Sequence, residues 1–320
     1  MDEIRTTCPY CGVGCGVLAR REENGLVSVR GDEHHPANLG RLCVKGAALG
    51  ETTGLEGRLL RPELEGEPVS WSRALTVAGS RLRQIIEQHG PQAVAFYASG
   101  QLLTEDYYAA NKLMKGFIGA ANIDTNSRLC MSSAVTGYKR AFGADVVPCS
   151  YEDVENSDLV VLVGSNAAWA HPVLYQRLVQ AKRDNPRMKV VVIDPRRTAT
   201  CDIADSHLAV APGSDGGLFV GLLSAIAEAG ALTGDFRDQA QALAAAAAWD
   251  SAQVAEFCGL DMEQVAGFYR DFIAAPRAIT LYTMGINQSA SGSDKCNAII
   301  NVHLALSLIH ISEPTRLQLI

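Results

Sequence analysis

"DLVVLVGSN", residues 158–166, runs five consecutive apolar side chains into a Gly-Ser-Asn turn. A strand with one wet face alternates apolar and polar residues, whereas an unbroken apolar run fits a strand covered on both faces of a parallel sheet. The same rhythm recurs in "AVAFYASG" (93–100), "KVVVIDPR" (189–196), "SHLAVAPGSD" (206–215) and "AITLYTMG" (278–285). Between these runs lie segments of helical spacing, "EDYYAANKLMKGFIG", "PVLYQRLVQAKRD" and "GGLFVGLLSAIAEAG". Strand and helix in alternation predict an α/β chain with a doubly wound, mainly parallel sheet. Residues 238–275 differ, being alanine-rich and helical, with Gly259 as a C-cap and Asp261 as the N-cap of "MEQVAGFYRDFI". Upstream, "ALTVAGSRLRQIIEQHG" reads as a helix capped by Ser70 or Ser72 and stopped at Gly90.

Four of the runs end in polar or glycine-rich turns, "SGQ", "GSN", "DPRR" and "MGINQ". In an open α/β sheet, ligands bind at the carboxyl ends of the strands. Backbone amides there, and at the helix N-termini that follow, suit phosphates and other anions. Any one turn could be an ordinary loop; four together point to a large, elongated, polar ligand. The chain has no strict Gly-x-Gly-x-x-Gly fingerprint and no Walker sequence, which disfavours simple NAD or ATP use.

Composition bounds the function classes. The 320 residues suffice for two or three domains, and 48% apolar with 20% charged residues describes an ordinary globular protein. A net charge of −7 without any lysine- or arginine-rich run argues against nucleic acid as the main partner. No apolar stretch reaches membrane-spanning length. "MDEIRTT" leaves no room for an export signal and contains no twin arginine, so a cytoplasmic location is expected. The nine cysteines are then expected to be thiols or metal ligands rather than disulfides.

Three of those cysteines stand together in "CPYCGVGCG" (8–16). Cys8, Cys11 and Cys15 follow Cys-x2-Cys-x3-Cys, and Cys43 stands apart in "GRLCVKG". Structural zinc normally uses two Cys-x2-Cys knuckles, or one knuckle with closely spaced histidines, and no second knuckle exists here. His34 and His35 could complete a zinc site, yet Cys43 already brings the thiolates to four. Four thiolates suit a [4Fe–4S] cluster, although the spacing is not that of bacterial ferredoxins. Gly12, Gly14 and Gly16 permit tight turns and close approach of amides to cluster sulfurs. The chemistry favours iron–sulfur without excluding zinc. Lys45, two residues past Cys43, is either a surface charge or a bridge from a cluster to a second redox centre.

Seven segments, in order, resemble one family: "TTCPYCGVGCGV", "GRLCVKG", "NSRLCMSSAVTGYKRAFGAD", "CSYEDVENSDLVVLVGSNAAWAHPVL", "VVVIDPRRT", "APGSD" and "MGINQSASGSDKCNAIIN". They are similar to the molybdopterin oxidoreductases, and most similar to the prokaryotic assimilatory nitrate reductase branch of that family. The resemblance covers residues 5 to about 306. It implies a [4Fe–4S] cluster on Cys8, Cys11, Cys15 and Cys43, and Lys45 as the relay from cluster to pterin. It further implies a molybdenum centre held by two molybdopterin guanine dinucleotides, with Cys130 as the protein ligand to the metal. Gln101 and Asn126 match pterin-contacting positions. Gly164, Ser165 and Asn166 match the turn that receives a guanine dinucleotide, and Asp194, Arg196, Ser214 and Asp215 match contacts to its nucleotide portion. Met284 and Gln288 match residues that line the active site. Cys149, Cys201, Cys258 and Cys296 are read as small core residues.

The implied domains are a cluster module (1–55), an α/β domain of two segments (56–125 and 276–306), and a Rossmann-like dinucleotide domain (126–275). The implied reaction is reduction of nitrate to nitrite by oxygen-atom transfer, for nitrate assimilation. Electrons would arrive through the cluster from ferredoxin, flavodoxin or an NADH-linked flavoprotein. Two rival readings stand beside it. One is a molybdenum formate dehydrogenase, which usually places a histidine after its metal-ligating cysteine, where this chain has Met131. The other is an iron–sulfur electron carrier without pterin, which leaves Cys130 and the strand-end turns without a purpose. Residues 307–320, "SLIHISEPTRLQLI", carry no family motif, so the chain is expected to be an N-terminal fragment of a longer enzyme.

Overall fold

The computed structural model describes residues 3–308, apart from the side chains of Ser127 and Arg128. Most of the 307–320 tail therefore lies outside the described residues. The chain divides between Leu129 and Cys130 into two units.

The first unit begins with a three-stranded antiparallel sheet of β1 (Ile4–Thr7), β2 (Gly16–Arg21) and β3 (Val27–Gly31) in sequence order. A small hairpin, β4 (Glu63–Leu64) with β5 (Glu67–Pro68), leads into the helix Trp71–His89. Ser70 caps that helix, its hydroxyl accepting from the Arg73 amide at 3.3 Å. Gly90 ends it with φ 82°, a conformation that costs glycine little. β6 (Phe96–Ala98) then pairs in parallel with β7 (Ile123–Thr125), over a small cluster of Val94, Met114 and Ala120. The run 93–100 is less covered than its composition implies, and Tyr97 is 74% exposed. A two-stranded ladder with three residues per strand has too little area to bury both faces.

The second unit is organised by four parallel strands: β8 (Leu159–Val163), β9 (Lys189–Ile193), β10 (Ser206–Leu208) and β11 (Ala278–Tyr282), in the order β10-β9-β8-β11. The alternation of side chains along β8 sorts its residues between two cores. Leu159, Val161 and Val163 face one side with Val191, Ile193 and Leu208, under helices Asp215–Glu228, Met262–Ala274 and Gly292–Ala305. Val160 and Leu162 face the other with Val190, Val192 and Ile279, under helix Pro172–Asp184. Every β8 side chain is at most 1% exposed, so an apolar residue is required at each position rather than at every second one. Burying each such side chain stabilises the fold by about 2 kcal/mol before entropy is counted. Gly259 and Asp261 act as anticipated: Gly259 has φ 66° at a helix end, and Asp261 forms a capping box with Gln264.

One boundary differs from the sequence expectation. Residues 276–306, grouped with 56–125 in the sequence reading, instead belong to the second unit. β11 pairs with β8 along all five residues, Ala278 opposite Leu159 through Tyr282 opposite Val163. Helix Gly292–Ala305 supplies Cys296, Ile299 and Val302 to the core of that unit. Hydrogen bonding and apolar burial both tie the segment there. Among the described residues, no helix is long and apolar enough to cross a membrane.

Candidate cluster and cofactor sites

In the first unit, β1 delivers Cys8 and β2 begins directly after Cys15, so the hairpin between them presents three thiols in one turn. The Cys8 amide donates to the Cys15 carbonyl at 2.9 Å, and Gly14, at φ 62°, closes the tip by donating to the Cys11 carbonyl at 3.2 Å. Cys43 arrives from the loop after β3, just before the short helix Val44–Ala47. Cys8 and Cys15 are buried, while Cys11 and Cys43 are partly exposed. Burial first, and then the neighbouring thiols of Cys8, Cys11 and Cys43, push the Cys15 thiol up to about 11. Cys8, Cys11 and Cys43 thus all lie within electrostatic reach of the Cys15 sulfur. Among the described residues, no three His, Cys, Asp or Glu groups are arranged to hold a single metal ion.

The other residues of interest in this unit lie at loop ends. Lys45 is exposed, and its ammonium sits 5.8 Å from the ring centroid of Tyr10, inside the Cys8–Cys11 knuckle. Gln101, in the turn after β6, is exposed and donates its amide to the Ser99 hydroxyl at 3.1 Å. Asn126 follows β7, is exposed, and accepts at its carbonyl from the Leu129 amide at 3.1 Å.

In the second unit the chain runs from β8 outward to β9 and β10, then returns to place β11 on the other side of β8. The switch point is therefore the gap between β8 and β11, where an open α/β sheet receives ligands. Here the backbones nearly touch. The Gly285 amide donates to the Gly164 carbonyl at 3.1 Å, as does the Thr283 hydroxyl at 2.9 Å. A Cβ on Gly285 would fall 2.5 Å from the Gly164 Cα, and Gly164 has φ 55°. Two glycines are the only side-chain solution to so close a crossing.

The turn after β11 reaches Cys130. Gln288 donates from Nε2 to the Cys130 Sγ at 3.1 Å and to the Cys130 carbonyl at 3.2 Å. Its neighbour Asn287, 2% exposed, donates from Nδ2 to the same carbonyl at 3.3 Å and to the Met131 Sδ at 3.5 Å. Met284, on the same turn, is 48% exposed. At β8, Ser165 is buried and the Asn166 side chain accepts from the Thr200 hydroxyl at 2.9 Å. At β9, the Asp194 carboxylate accepts from the Arg196 amide at 2.8 Å, which turns the chain and leaves Arg196 exposed. After β10, Ser214 is buried and donates to the Ala211 carbonyl at 2.7 Å.

Asp215 is placed at the same end of the sheet, but its carboxylate points into the fold. It accepts from the Lys295 ammonium at 2.6 Å, with both side chains at most 10% exposed, and from the Gly216 amide at 2.8 Å. Lys295, Thr200, Asn287 and Gly285 are the site-forming residues absent from the sequence expectation. Only "MGINQ" carried a signal for two of them, because that polar turn at a strand end was read for Met284 and Gln288 and not for the residues between them. Cys201, Cys258 and Cys296 are buried, as core cysteines are, and Cys149 is partly buried.

Residues 1–53 match the molybdopterin oxidoreductase Fe4S4 domain, and residues 58–316 match the molybdopterin oxidoreductase domain itself. The chain belongs to the molybdopterin oxidoreductase family. It is 82% identical to a nitrate reductase of Klebsiella oxytoca over 305 residues, 95% of this chain and 35% of that protein. It is 45% identical to a nitrate reductase of Shewanella frigidimarina, over 97% of this chain and 34% of that protein. The chain thus spans about a third of these relatives. Among solved structures it is similar in fold to the acetylene hydratase of Pelobacter acetylenicus, with a TM-score of 0.75 at 20% identity, over 95% of this chain and 43% of that one.

The two family domains indicate a [4Fe–4S] cluster and a molybdenum–molybdopterin cofactor, and the residues present fit both groups. The four coupled thiols supply the donor set a cluster needs. In the turn after β11 the Asn287 Oδ1, and in the loop after β9 the Thr198 Oγ1, are buried without a hydrogen-bond partner among the described residues. Buried polar atoms of that kind are normally satisfied, and a polar ligand at the strand ends would satisfy them.

Proposed function

We propose that this chain carries the cluster module and the first cofactor-binding domain of a molybdenum nitrate reductase. The reaction is nitrate plus two electrons and two protons to nitrite and water, in the service of nitrate assimilation. The cofactor is read as molybdopterin guanine dinucleotide in two copies. When bound, it supplies the two-electron oxygen-atom transfer.

The residues of the chain orient and tune that centre. Cys130 offers a soft thiolate to the metal, and the Gln288 N–H on its sulfur withdraws charge from it and holds its rotamer. Asn287 fixes the backbone on either side by gripping the Cys130 carbonyl and the Met131 thioether. Gly164, Ser165, Asn166, Asp194, Arg196 and Ser214 line the strand ends where the nucleotide arm is expected, and exposed Arg196 suits its phosphates. Asp215 acts there by shaping the turn through Lys295 rather than by reading a base. Cys8, Cys11, Cys15 and Cys43 would hold the cluster, Lys45 would lie between it and the pterin, and Gln101 and Asn126 would contact the pterin. The electron donor is a ferredoxin, a flavodoxin or an NADH-linked flavoprotein, and the location is cytoplasmic.

The observation that carries this reading is the Gln288–Cys130 contact at the switch point, supported by the 82% identity to the Klebsiella oxytoca nitrate reductase. A thioether follows the metal ligand, and Met131 cannot take up a substrate proton, which favours oxygen transfer over formate oxidation. The deciding measurement uses protein purified from cells that carry this locus. Nitrite formation from nitrate with reduced viologen is compared with formate oxidation, for the wild type and Cys130→Ser. Nitrite formation that Cys130→Ser abolishes is expected; formate oxidation without nitrite formation sinks the reading.

A further inference from the structure

The segment between β3 and Cys43 contains a fully buried side chain that none of the chemistry above uses. Asn38 is 0% exposed, and each polar atom of its carboxamide is engaged. Its Oδ1 accepts from the Gly16 amide at 2.8 Å. Its Nδ2 donates to the Gly16 carbonyl at 3.0 Å and to the Arg41 carbonyl at 2.8 Å. Gly16 is the residue after Cys15, and Arg41 lies two residues before Cys43. The β2–β3 ladder ends here, with the Asp32 amide donating to the Gly16 carbonyl at 2.9 Å. Asn38 therefore continues the ladder with a side chain, meeting Gly16 as a peptide group would and reaching onward to the second arm. Gly16 leaves no room for adjustment, since a Cβ there would fall 2.4 Å from the His35 Cβ.

We propose that Asn38 is the positioning residue that sets the Cys43 arm relative to the Cys8–Cys11–Cys15 turn, so that the fourth thiolate is preorganised for the cluster. The inference rests on the reading of those four cysteines as cluster ligands. The chain reaches Cys43 from the hairpin through the 32–41 loop, and among the described residues Cys43 belongs to no strand. The buried Asn38 carboxamide, with three hydrogen bonds, links both arms through a side chain. Asparagine suits the task because it both accepts and donates. Aspartate keeps the bond from the Gly16 amide but loses both donations, including the only one that reaches the Cys43 arm.

The test is anaerobic iron–sulfide reconstitution of the 320-residue chain as wild type, Asn38→Asp and Asn38→Leu, with Met114→Ala as a comparably buried control outside the cluster module. Iron per folded chain, the electron paramagnetic resonance spectrum and thermal unfolding are read together. The wild type is expected to take up about four irons. Asn38→Asp is expected to lose at least half of that iron and to show a three-iron signature in the oxidised state, as a cluster short of one thiolate would. Met114→Ala is expected to keep its iron even when its melting temperature falls as far. Asn38→Asp with full iron and an unchanged spectrum overturns the inference, as does equal iron loss in Met114→Ala at equal melting temperature. A wild-type chain that takes up no iron removes the cluster reading and this inference with it.

Discussion

The Nε2 of Gln288 lies 3.1 Å from the Cys130 sulfur and 3.2 Å from the Cys130 carbonyl oxygen, so one carboxamide grips both ends of a single residue. The two residues are 158 positions apart in sequence. The contact holds the Cys130 side chain in one rotamer and covers one side of its sulfur. Gln288→Leu keeps the volume and removes the donor. Alkylation of Cys130 by iodoacetamide, followed by mass spectrometry of the cysteine peptide, is expected to quicken roughly threefold as the sulfur is freed from its partner. An unchanged rate would show that the contact does not act on the sulfur.

Gly164 and Gly285 cross closely at the carboxyl ends of β8 and β11. Gly285→Ala places a methyl 2.5 Å from the Gly164 Cα and 2.7 Å from its carbonyl oxygen. Backbone cannot rotate away as a side chain can, so β8 and β11 must part. A destabilisation of about 1–3 kcal/mol is expected in urea unfolding, the usual cost of overpacking. Ala at Gly116, where a new Cβ meets nothing closer than 3.9 Å, is the control expected to move the midpoint far less.

Lys295 and Asp215 form a buried pair at 2.6 Å. Lys295→Met strands the carboxylate in the core of the unit, which costs about 3–5 kcal/mol. Lys295→Met combined with Asp215→Leu removes both charges and is expected to recover most of that loss. Chemical denaturation of the two variants checks this. If the double variant is less stable than the single one, the pair is not an isolated charge couple.

His303 is held neutral, because burial pushes its imidazole down from 6.5 to about 4. Its Nε2 lies 2.8 Å from the Thr280 hydroxyl. The unfolded chain binds this proton below about 6.5 and the folded chain only below about 4, so the unfolded state holds more protons between those values. Stability is therefore full above pH 6.5 and falls as pH drops from 6.5 toward 4, by on the order of 2–3 kcal/mol from this group. His303→Gln is expected to flatten that part of the stability curve, measured by urea midpoints at pH 7, 6, 5 and 4. A variant curve parallel to the wild type would assign the acid sensitivity to other groups.

Much of the architecture was legible because its signals are local. β8 is an unbroken apolar run and β9 and β11 are nearly so, the pattern of strands in a covered parallel sheet. Ser70, Gly90, Gly259 and Asp261 act where they stand because caps depend only on the adjacent turn. Cys8, Cys11 and Cys15 read as one group because the hairpin that joins them is only a few residues long. The run 93–100 was overread, because coverage depends on what packs against a strand and not on the strand itself.

What the sequence determined by itself was the set of elements and the family, both carried by short-range pattern and motif. Strand order was decided only by the tertiary structure, since nothing near residues 278–282 specifies β8 as their neighbour. That pairing moved residues 276–306 into the second unit, brought Gln288 to Cys130 and turned Asp215 toward Lys295. Each of these contacts links residues at least 80 positions apart. Such contacts form when hydrogen-bonded strands and buried surface are satisfied together, a condition on the whole unit that no local stretch of residues encodes.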